Sequence, residues 1–238
     1  MKIGVVMDPI ESINFKKDST LAMMLEAQSR KHQLFYMTPD SLYINEKGAF
    51  AIAKTLQVKN DPTGWFDFKE EKQIKLSELD VILMRQDPPF NSNYIYNTYV
   101  LESAEKEGVL VVNKPSSLRD CNEKVFATEF PECCTPFLVT SDPNLLKSFI
   151  EDHGDTVIKP LDGMGGSSIF RLRYSDPNLN VILETITESF TTKVMIQTYI
   201  PEITDGDKRI LLINGNPMDA AVARVPAEGE LRGNLAAG

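Results

Sequence analysis

VIKPLDGMGGSSIFRL, residues 157–172, sets the reading of the whole chain. It holds a β-like run, Lys159, glycines at 163, 165 and 166, and a second β-like run. The familiar phosphate loop has the order GxxxxGK followed by Ser or Thr, and it opens a helix. Here the lysine comes first and a strand follows, so the glycines form a flap between two strands. Glycine lets a backbone approach a ligand closely and offer it several N–H groups, which suits phosphate oxygens, and Lys159 at the strand end would reach over the same phosphates. Taken by itself, a glycine-rich turn in a β hairpin is more often simple turn geometry than a phosphate site.

The flanks of the flap predict a compact α+β unit. A short helix is expected over 122–130, a strand at 136–140, a helix over 142–153, a helix over 178–189 and a strand at 193–198. Asp142 before Pro143 is a good helix start, with Leu145/Phe149 and Leu146/Ile150 on one face. Lys124 offers a second cation at the entry to this unit, although a lone lysine on a short helix is commonly solvated.

Residues 207–224 read as a hairpin turning at Asn214 and Gly215. A two-residue turn pairs Ile213 with Asn216, hence Arg209 with Ala220 and Asp207 with Val222. Strand alternation then puts Asp207, Arg209 and Arg224 on one face. Such a face is either an exposed ion-pair cluster or an anion clamp, since arginine binds carboxylate and phosphate bidentately. Beyond it, VPAEGELRGNLAAG carries Arg232 and has the texture of a mobile lid that keeps water from a reactive intermediate.

Upstream the texture differs. Strands at 2–7, 33–37, 80–84 and 109–113 alternate with helices over 19–31, after the cap Asp18, and 92–107. The intervening NEKG at 45–48 marks a hairpin-like excursion. Strand, helix, strand, repeated, implies an open parallel sheet with helices on both faces. Ligands on such sheets bind beyond the strands' carboxyl ends, which here are Asp8, Arg85 and Asn113.

Of 238 residues, 25 are Lys or Arg and 34 Asp or Glu, a net charge of −9 that argues against a nucleic-acid partner but leaves room for a local anion site. The first ten residues are too polar for a signal peptide core, and no stretch approaches the ~18 apolar residues of a membrane span. The expected setting is therefore cytoplasmic, without a membrane. The three cysteines, Cys121, Cys133 and Cys134, form no metal or disulfide pattern and are expected to be reduced and packed. His32 and His153 fall at helix ends, where a solvated residue is the simplest reading.

VMDPI, MRQDPPF, NKPSSLRDCNEK, KPLDGMGG, DGDKR and RGNLAAG occur here in that order. Together they resemble the bacterial glutathione synthetases of the ATP-grasp superfamily, over the whole length of the chain. That resemblance implies an N-terminal open parallel α/β substrate domain (1–120). It also implies an ATP-grasp α+β domain, made of a lid subdomain with the glycine flap (121–198) and the start of a C-terminal subdomain with a mobile loop (199–238).

The implied reaction is ATP-dependent ligation of gamma-glutamylcysteine and glycine to glutathione through an acyl phosphate, releasing ADP and phosphate. The nucleotide set it implies is Lys124, Lys159, Gly163, Met164, Gly165, Gly166 and Ser167 at the phosphates. Gln197, Thr198, Tyr199 and Ile200, beside Met195, would form the adenine hinge, and Asp207 would lie near the ribose. Arg209, Arg224 and Arg232 form the implied catalytic set, and Arg85, Asp8 and Asn113 the substrate-binding set. ATP and Mg2+ are the implied cofactors, and a homo-oligomer the expected state.

In that family the magnesium ligands follow NLAAG. They are expected beyond residue 238, no metal ligand is assigned within the sequence, and the chain is expected to be a fragment or truncated product with little turnover. A nucleotide-binding module without turnover, or another ATP-grasp carboxylate–amine ligase, are the alternative readings.

Overall fold

The structure, a computed structural model, describes residues 1–227. The chain divides into two compact units, Met1–Cys121 and Asn122–Gly238.

The first unit contains β1 (Lys2–Val6), α1 (Ser19–Ser29), β2 (Gln33–Met37), β3 (Leu42–Asn45), β4 (Gly48–Val58), β5 (Phe66–Lys75), β6 (Val81–Met84), α2 (Ser92–Lys106), β7 (Leu110–Val112) and α3 (Pro115–Asp120). Its seven-stranded sheet runs β3-β4-β2-β1-β6-β7, with β5 paired to β4. β2, β1, β6 and β7 are mutually parallel. The apolar runs in these strands leave no polar face, as they must when both faces are covered. Ile3, Val5, Leu34 and Tyr36 pack on the side of Leu21 and Met24 of α1. Val6, Phe35 and Met37 pack on the side of Leu101 and Ala104 of α2.

The excursion after residue 45 is larger than its turn signals indicate. β3, β4 and β5 join the sheet antiparallel. β5 is polar along its exposed edge, FKEEKQ, a charged edge that resists pairing with another chain and that hides the strand's periodicity. Gln28 ties α1 to β4, donating to the Val58 carbonyl at 2.8 Å and accepting from its N–H at 2.9 Å.

The second unit contains β8 (Phe137–Thr140), α4 (Pro143–His153), β9 (Thr156–Pro160), β10 (Phe170–Leu172), α5 (Leu179–Ile186), β11 (Val194–Thr198), β12 (Asp207–Ile213) and β13 (Asn216–Arg224). A four-stranded antiparallel sheet runs β10-β9-β11-β8. Ile158, Leu172, Val194 and Ile196 meet Leu146, Ile150, Leu179 and Leu183 of the two helices in one core. Asp142 caps α4 by accepting from the N–H groups of Asn144 and Leu145.

Several details depart from the sequence reading. Leu145 is exposed, so the buried stripe of α4 is Leu146 and Ile150, with Phe149 at its margin. The expected helix over 122–130 is instead a single turn, Phe126–Glu129, because the Asn122 side chain takes the N–H groups of Lys124 and Val125 and Pro131 follows at once. α5 stops at Ile186, where Glu188, Ser189 and Phe190 all take positive φ. The cysteines are free but not packed: Cys121 and Cys133 are exposed and Cys134 is half-buried.

The β12–β13 turn pairs Ile213 with Asn216, but an irregularity between Ile210 and Leu212 changes the register beyond it. Asp207 therefore pairs with Arg224, and Arg209 with Val222. An even shift preserves side-chain parity, which keeps Asp207, Arg209 and Arg224 on a common face.

Gly4 of β1 has no room for a side chain: a Cβ there would stand 2.6 Å from the Met37 methyl and 2.7 Å from a Leu79 methyl. Gly4→Ala should destabilise the first unit by about 1–3 kcal/mol through overpacking, read as a lowered midpoint in urea unfolding.

Candidate functional site

The period of two in β9 and β11 decides which side chains reach the flap side of the second sheet. Ile158 pairs with Ile196 and both point into the helix-covered core. Their neighbours, Val157 paired with Gln197 and Lys159 paired with Met195, point the other way. On that side lies a cavity of about 500 Å³. Val157, Ile169, Ile200 and Ile203 give it apolar lining, and Lys159, Asp207 and Arg224 supply charge. Gln197, Thr198 and Tyr199 complete the hinge wall.

Lys159 carries the clearest electrostatic signature. Burial first, then the neighbouring Lys124 charge, hold its ammonium below the usual lysine range. A desolvated cation repelled by another cation is a site waiting for an anion. Thr198, paired with Thr156, shares the face of Ile196, so its hydroxyl, buried without a hydrogen-bond partner among the described residues, belongs to the helix-covered side of the sheet.

Lys124, expected from the resemblance to contact phosphate, sits at the root of the flap. Its ammonium pairs with Glu123 and donates to the Gly163 carbonyl at 2.8 Å, so it fastens the root of the flap. In the flap itself Gly165 and Gly166 take φ of +69° and +77°, conformations that favour glycine, and Ser167 N–H donates to the Met164 carbonyl at 3.2 Å. Of the flap residues, Gly166 lines the cavity, while Met164 is exposed.

Arg224 lines the cavity, but its guanidinium is bidentate to Asp207, Nε to Oδ1 at 2.6 Å and Nη2 to Oδ2 at 2.5 Å. Arg209, on the same face, is exposed and does not line the cavity. Arg232 lies outside the described residues, as does most of the expected lid.

Asp155 was not legible as a functional residue. Its carbonyl accepts from Tyr199 N–H at 2.9 Å, and its carboxylate takes Arg171 in a fork, with Arg173 alongside at 2.8 Å. The Arg171 guanidinium in turn stacks on the Tyr199 ring, 3.8 Å from its centre. One residue thus fixes Tyr199 twice, its main-chain carbonyl holding the backbone and its carboxylate holding the arginine that covers the ring. Ala127, Cys133, Cys134 and Thr135 were missed as lining residues too, since the segment that holds them has no motif and no regular periodicity.

The first unit has its own polar cluster beyond the carboxyl ends of β1 and β6. Arg85 donates to Thr20 Oγ1 at 3.0 Å and Ser19 Oγ at 3.1 Å, at the start of α1. Asp8 accepts from the Asp87 N–H at 2.7 Å. Desolvation, then the Asp8 charge, push the Asp87 carboxyl above its ordinary value. Asp87, which the sequence reading passed over, therefore belongs to this cluster. Asn113 follows β7 and is exposed.

Among the described residues no group of three or more His, Cys, Asp or Glu side chains could hold a metal ion, and no helix is long and apolar enough to cross a membrane.

An antiparallel sheet with a glycine flap over a half-apolar, cationic cavity, preceded by an open α/β unit, is the ATP-grasp arrangement. Solved structures share the fold: D-cycloserine synthetase DcsG superposes with a TM-score of 0.62 over 94% of this chain and 68% of that one, at 12% identity. D-alanyl-alanine synthetase A from Vibrio cholerae gives 0.51 over 91% and 65%, at 11% identity. Family models for the N-terminal domain and the ATP-grasp domain of prokaryotic glutathione synthetase match residues 1–119 and 123–238. The glutathione synthetases of Pseudomonas putida and Vibrio parahaemolyticus are 58% and 55% identical over all 238 residues, which span 75% of their length. The chain belongs to the prokaryotic glutathione synthetase family, and it is an ATP-dependent carboxylate–amine ligase.

The hinge node has a pH signature. Hydrogen bonds from Arg171 first, and then from Arg173, hold the Asp155 carboxyl at about 2 against an ordinary 3.8. A depressed carboxylate stabilises the fold fully above its unfolded value and loses that contribution as pH falls through about 2. Asp155→Asn should cost about 1–2 kcal/mol at neutral pH, allowing for partial exposure, and should flatten the stability loss between pH 3.8 and 2 in urea unfolding.

Proposed function

We propose that the cavity of the second unit binds ATP and that the protein joins gamma-glutamylcysteine to glycine, forming glutathione with release of ADP and phosphate. The observation that carries this reading is the desolvated Lys159 in the wall of a cavity that is otherwise largely apolar. A flat base suits the apolar side chains of Val157, Ile169 and Ile200, and a polyphosphate suits Lys159. The Gln197 side chain, on the cavity side of β11, is a polar group placed to read the base.

The ligation proceeds in two balanced steps. An oxygen of the dipeptide's glycine-accepting carboxylate attacks the γ-phosphorus, the bond to ADP breaks, and an acyl phosphate forms. The glycine amine then attacks the acyl carbon, loses a proton, and displaces inorganic phosphate. Both steps move negative charge among oxygens, so a fixed cation stabilises them more than mobile water would. Lys159 fills that role, and Lys124 acts through the flap carbonyl it holds. Mg2+ is implied by the family resemblance alone, and among the described residues no cluster of His, Cys, Asp or Glu fits a metal.

In the first unit, Arg85 is oriented by two hydroxyls and suits a dipeptide carboxylate, while the neighbouring carboxylates of Asp8 and Asp87 suit its ammonium group. A raised Asp87 carboxyl is what an acid awaiting a cation shows, since a bound ammonium would bring it down again.

The division of labour is testable. Lys159→Ala should raise KM for ATP by about 10- to 100-fold while leaving dipeptide affinity near its original value, and Arg85→Ala should do the reverse. Equal losses in both would contradict it. Measuring ADP release with gamma-glutamylcysteine and glycine, against other acceptor amines, tests the substrate pair.

A further expectation follows from the sign of the lysine shift. The Lys159 charge is penalised by burial, and a bound polyphosphate offsets that penalty, so nucleotide binding should take up protons as pH approaches the lowered lysine value. Affinity should weaken as pH rises past it. Calorimetry of a non-hydrolysable ATP analogue, in buffers of different ionisation enthalpy, reads this directly, and Lys159→Met should abolish the proton uptake.

A further inference from the structure

The hairpin that joins β4 to β5 reaches back to the segment that carries Asp8. Trp65, the one tryptophan of the chain and the residue just before β5, donates its ring N–H to the Ile10 carbonyl at 3.1 Å. The Ile10 N–H donates to the Tyr36 hydroxyl of β2 at 3.3 Å. Ile10 is fully buried, so both of its main-chain polar groups need partners, and both find them in aromatic side chains 26 and 55 positions away.

Trp65 meets the segment a second time, its ring centre 6.0 Å from that of Phe15. Ring contacts from Trp65 to Phe66, Phe66 to Phe68 and Phe68 to Tyr36, at centre distances of 5.9, 5.0 and 5.1 Å, join the two clamping residues. The Lys59 N–H closes the hairpin on the Trp65 carbonyl at 2.8 Å.

This clamp adjoins the polar cluster of the first unit. Only Pro9, with φ of −50°, separates Ile10 from Asp8, so the Ile10 main chain sets where the Asp8 carboxylate can stand. That carboxylate takes the Asp87 N–H, while at the far end of the segment Ser19 and Thr20 hold Arg85. The stretch from Asp8 to Thr20 is thus tied to Arg85 and Asp87 at its ends and to Tyr36 and Trp65 near its middle. Burial first, opposed by the Ile10 hydrogen bond and then reinforced by the Glu11 and Asp8 charges, raises the Tyr36 hydroxyl above its ordinary value, so Asp8 is within electrostatic reach of the clamp.

We propose that Tyr36 and Trp65 are positioning residues for dipeptide recognition: by gripping Ile10 they hold the Asp8 carboxylate where, beside Asp87, it receives the dipeptide's ammonium group. Loss of either clamp hydrogen bond leaves a buried main-chain group of Ile10 unpaired, and the segment relieves this by shifting towards water, taking Asp8 with it. The β4–β5 excursion then has a function besides extending the sheet. The inference rests on the reading of the Arg85, Asp8 and Asp87 cluster as the dipeptide site.

The test uses binding to the full chain. Trp65→Phe and Tyr36→Phe each keep an aromatic ring and lose the ring N–H or the hydroxyl. Affinities for gamma-glutamylcysteine and for a non-hydrolysable ATP analogue are measured by calorimetry for the parent, these two variants, Asp8→Asn and Gly4→Ala. Gly4→Ala disturbs the same unit by overpacking without removing a partner of Ile10, so it controls for lost stability. Both clamp variants should weaken dipeptide binding by about tenfold or more and leave analogue binding within about twofold of the parent, whereas Gly4→Ala should change neither.

Dipeptide affinity that survives in either clamp variant while Asp8→Asn loses it overturns the positioning inference, and so does an equal loss in Gly4→Ala. Unchanged dipeptide affinity in Asp8→Asn, or a parent that binds no dipeptide, sinks instead the reading of the cluster as the dipeptide site.

Discussion

The arrangement of the second unit depends on the alternation of side chains along β9. Ile158 is fully buried against the helices, and each such side chain contributes about 1.5–3 kcal/mol on leaving water. The same backbone geometry sends Lys159 to the opposite side, where its charge is desolvated. A slip of one position would exchange the two, placing a lysine in the core and an isoleucine in the cavity. The apolar core thus pins the cation in a place that the cation alone would not choose. Packing supplies the free energy that holds a reactive environment in its unfavourable state.

The hinge shows the same coupling from the other side of the cavity. Tyr199 follows β11, and its backbone and ring both answer to Asp155, which precedes β9. Two strands that are neighbours in the sheet are therefore locked a second time, through a carboxylate and two arginines on β10 and just beyond it. Charge-assisted forks of this kind are geometrically demanding, so the node limits how far the ring can swing without breaking the β9–β10 edge.

The features that showed in the sequence are those with a local cause. Strands β1, β2, β6 and β7 are continuous apolar runs between turn signals, the caps at Asp18 and Asp142 are single residues with a single job, and the glycine flap follows its lysine. What did not show depends on partners distant in sequence. β5 looks polar because its exposed edge is charged, and its membership in the sheet comes from pairing with β4. The hairpin register failed at an irregularity that no turn signal marks. Hinge residues Gln197 to Ile200 were placed through resemblance, whereas Asp155 has no motif, and its role appears once Arg171 and Tyr199 are seen to stack.

The cations near the cavity are not equivalent, and their partners separate their roles. Arg224 is forked to Asp207, an arrangement that joins the two ends of the hairpin, and Gly206 beside it is pinned by the Arg224 carbonyl, 2.7 Å from where a Cβ would sit. Lys124 is spent on Glu123 and on the flap's carbonyl. Lys159 forms no ion pair among the described residues and is the cation whose ammonium burial depresses. An incoming anion gains most where the existing charge is least compensated, because there it displaces no partner and relieves a standing desolvation cost. On the proposed reading Lys159 would be the first point of attraction, with Lys124 holding the flap and Arg224 the hairpin.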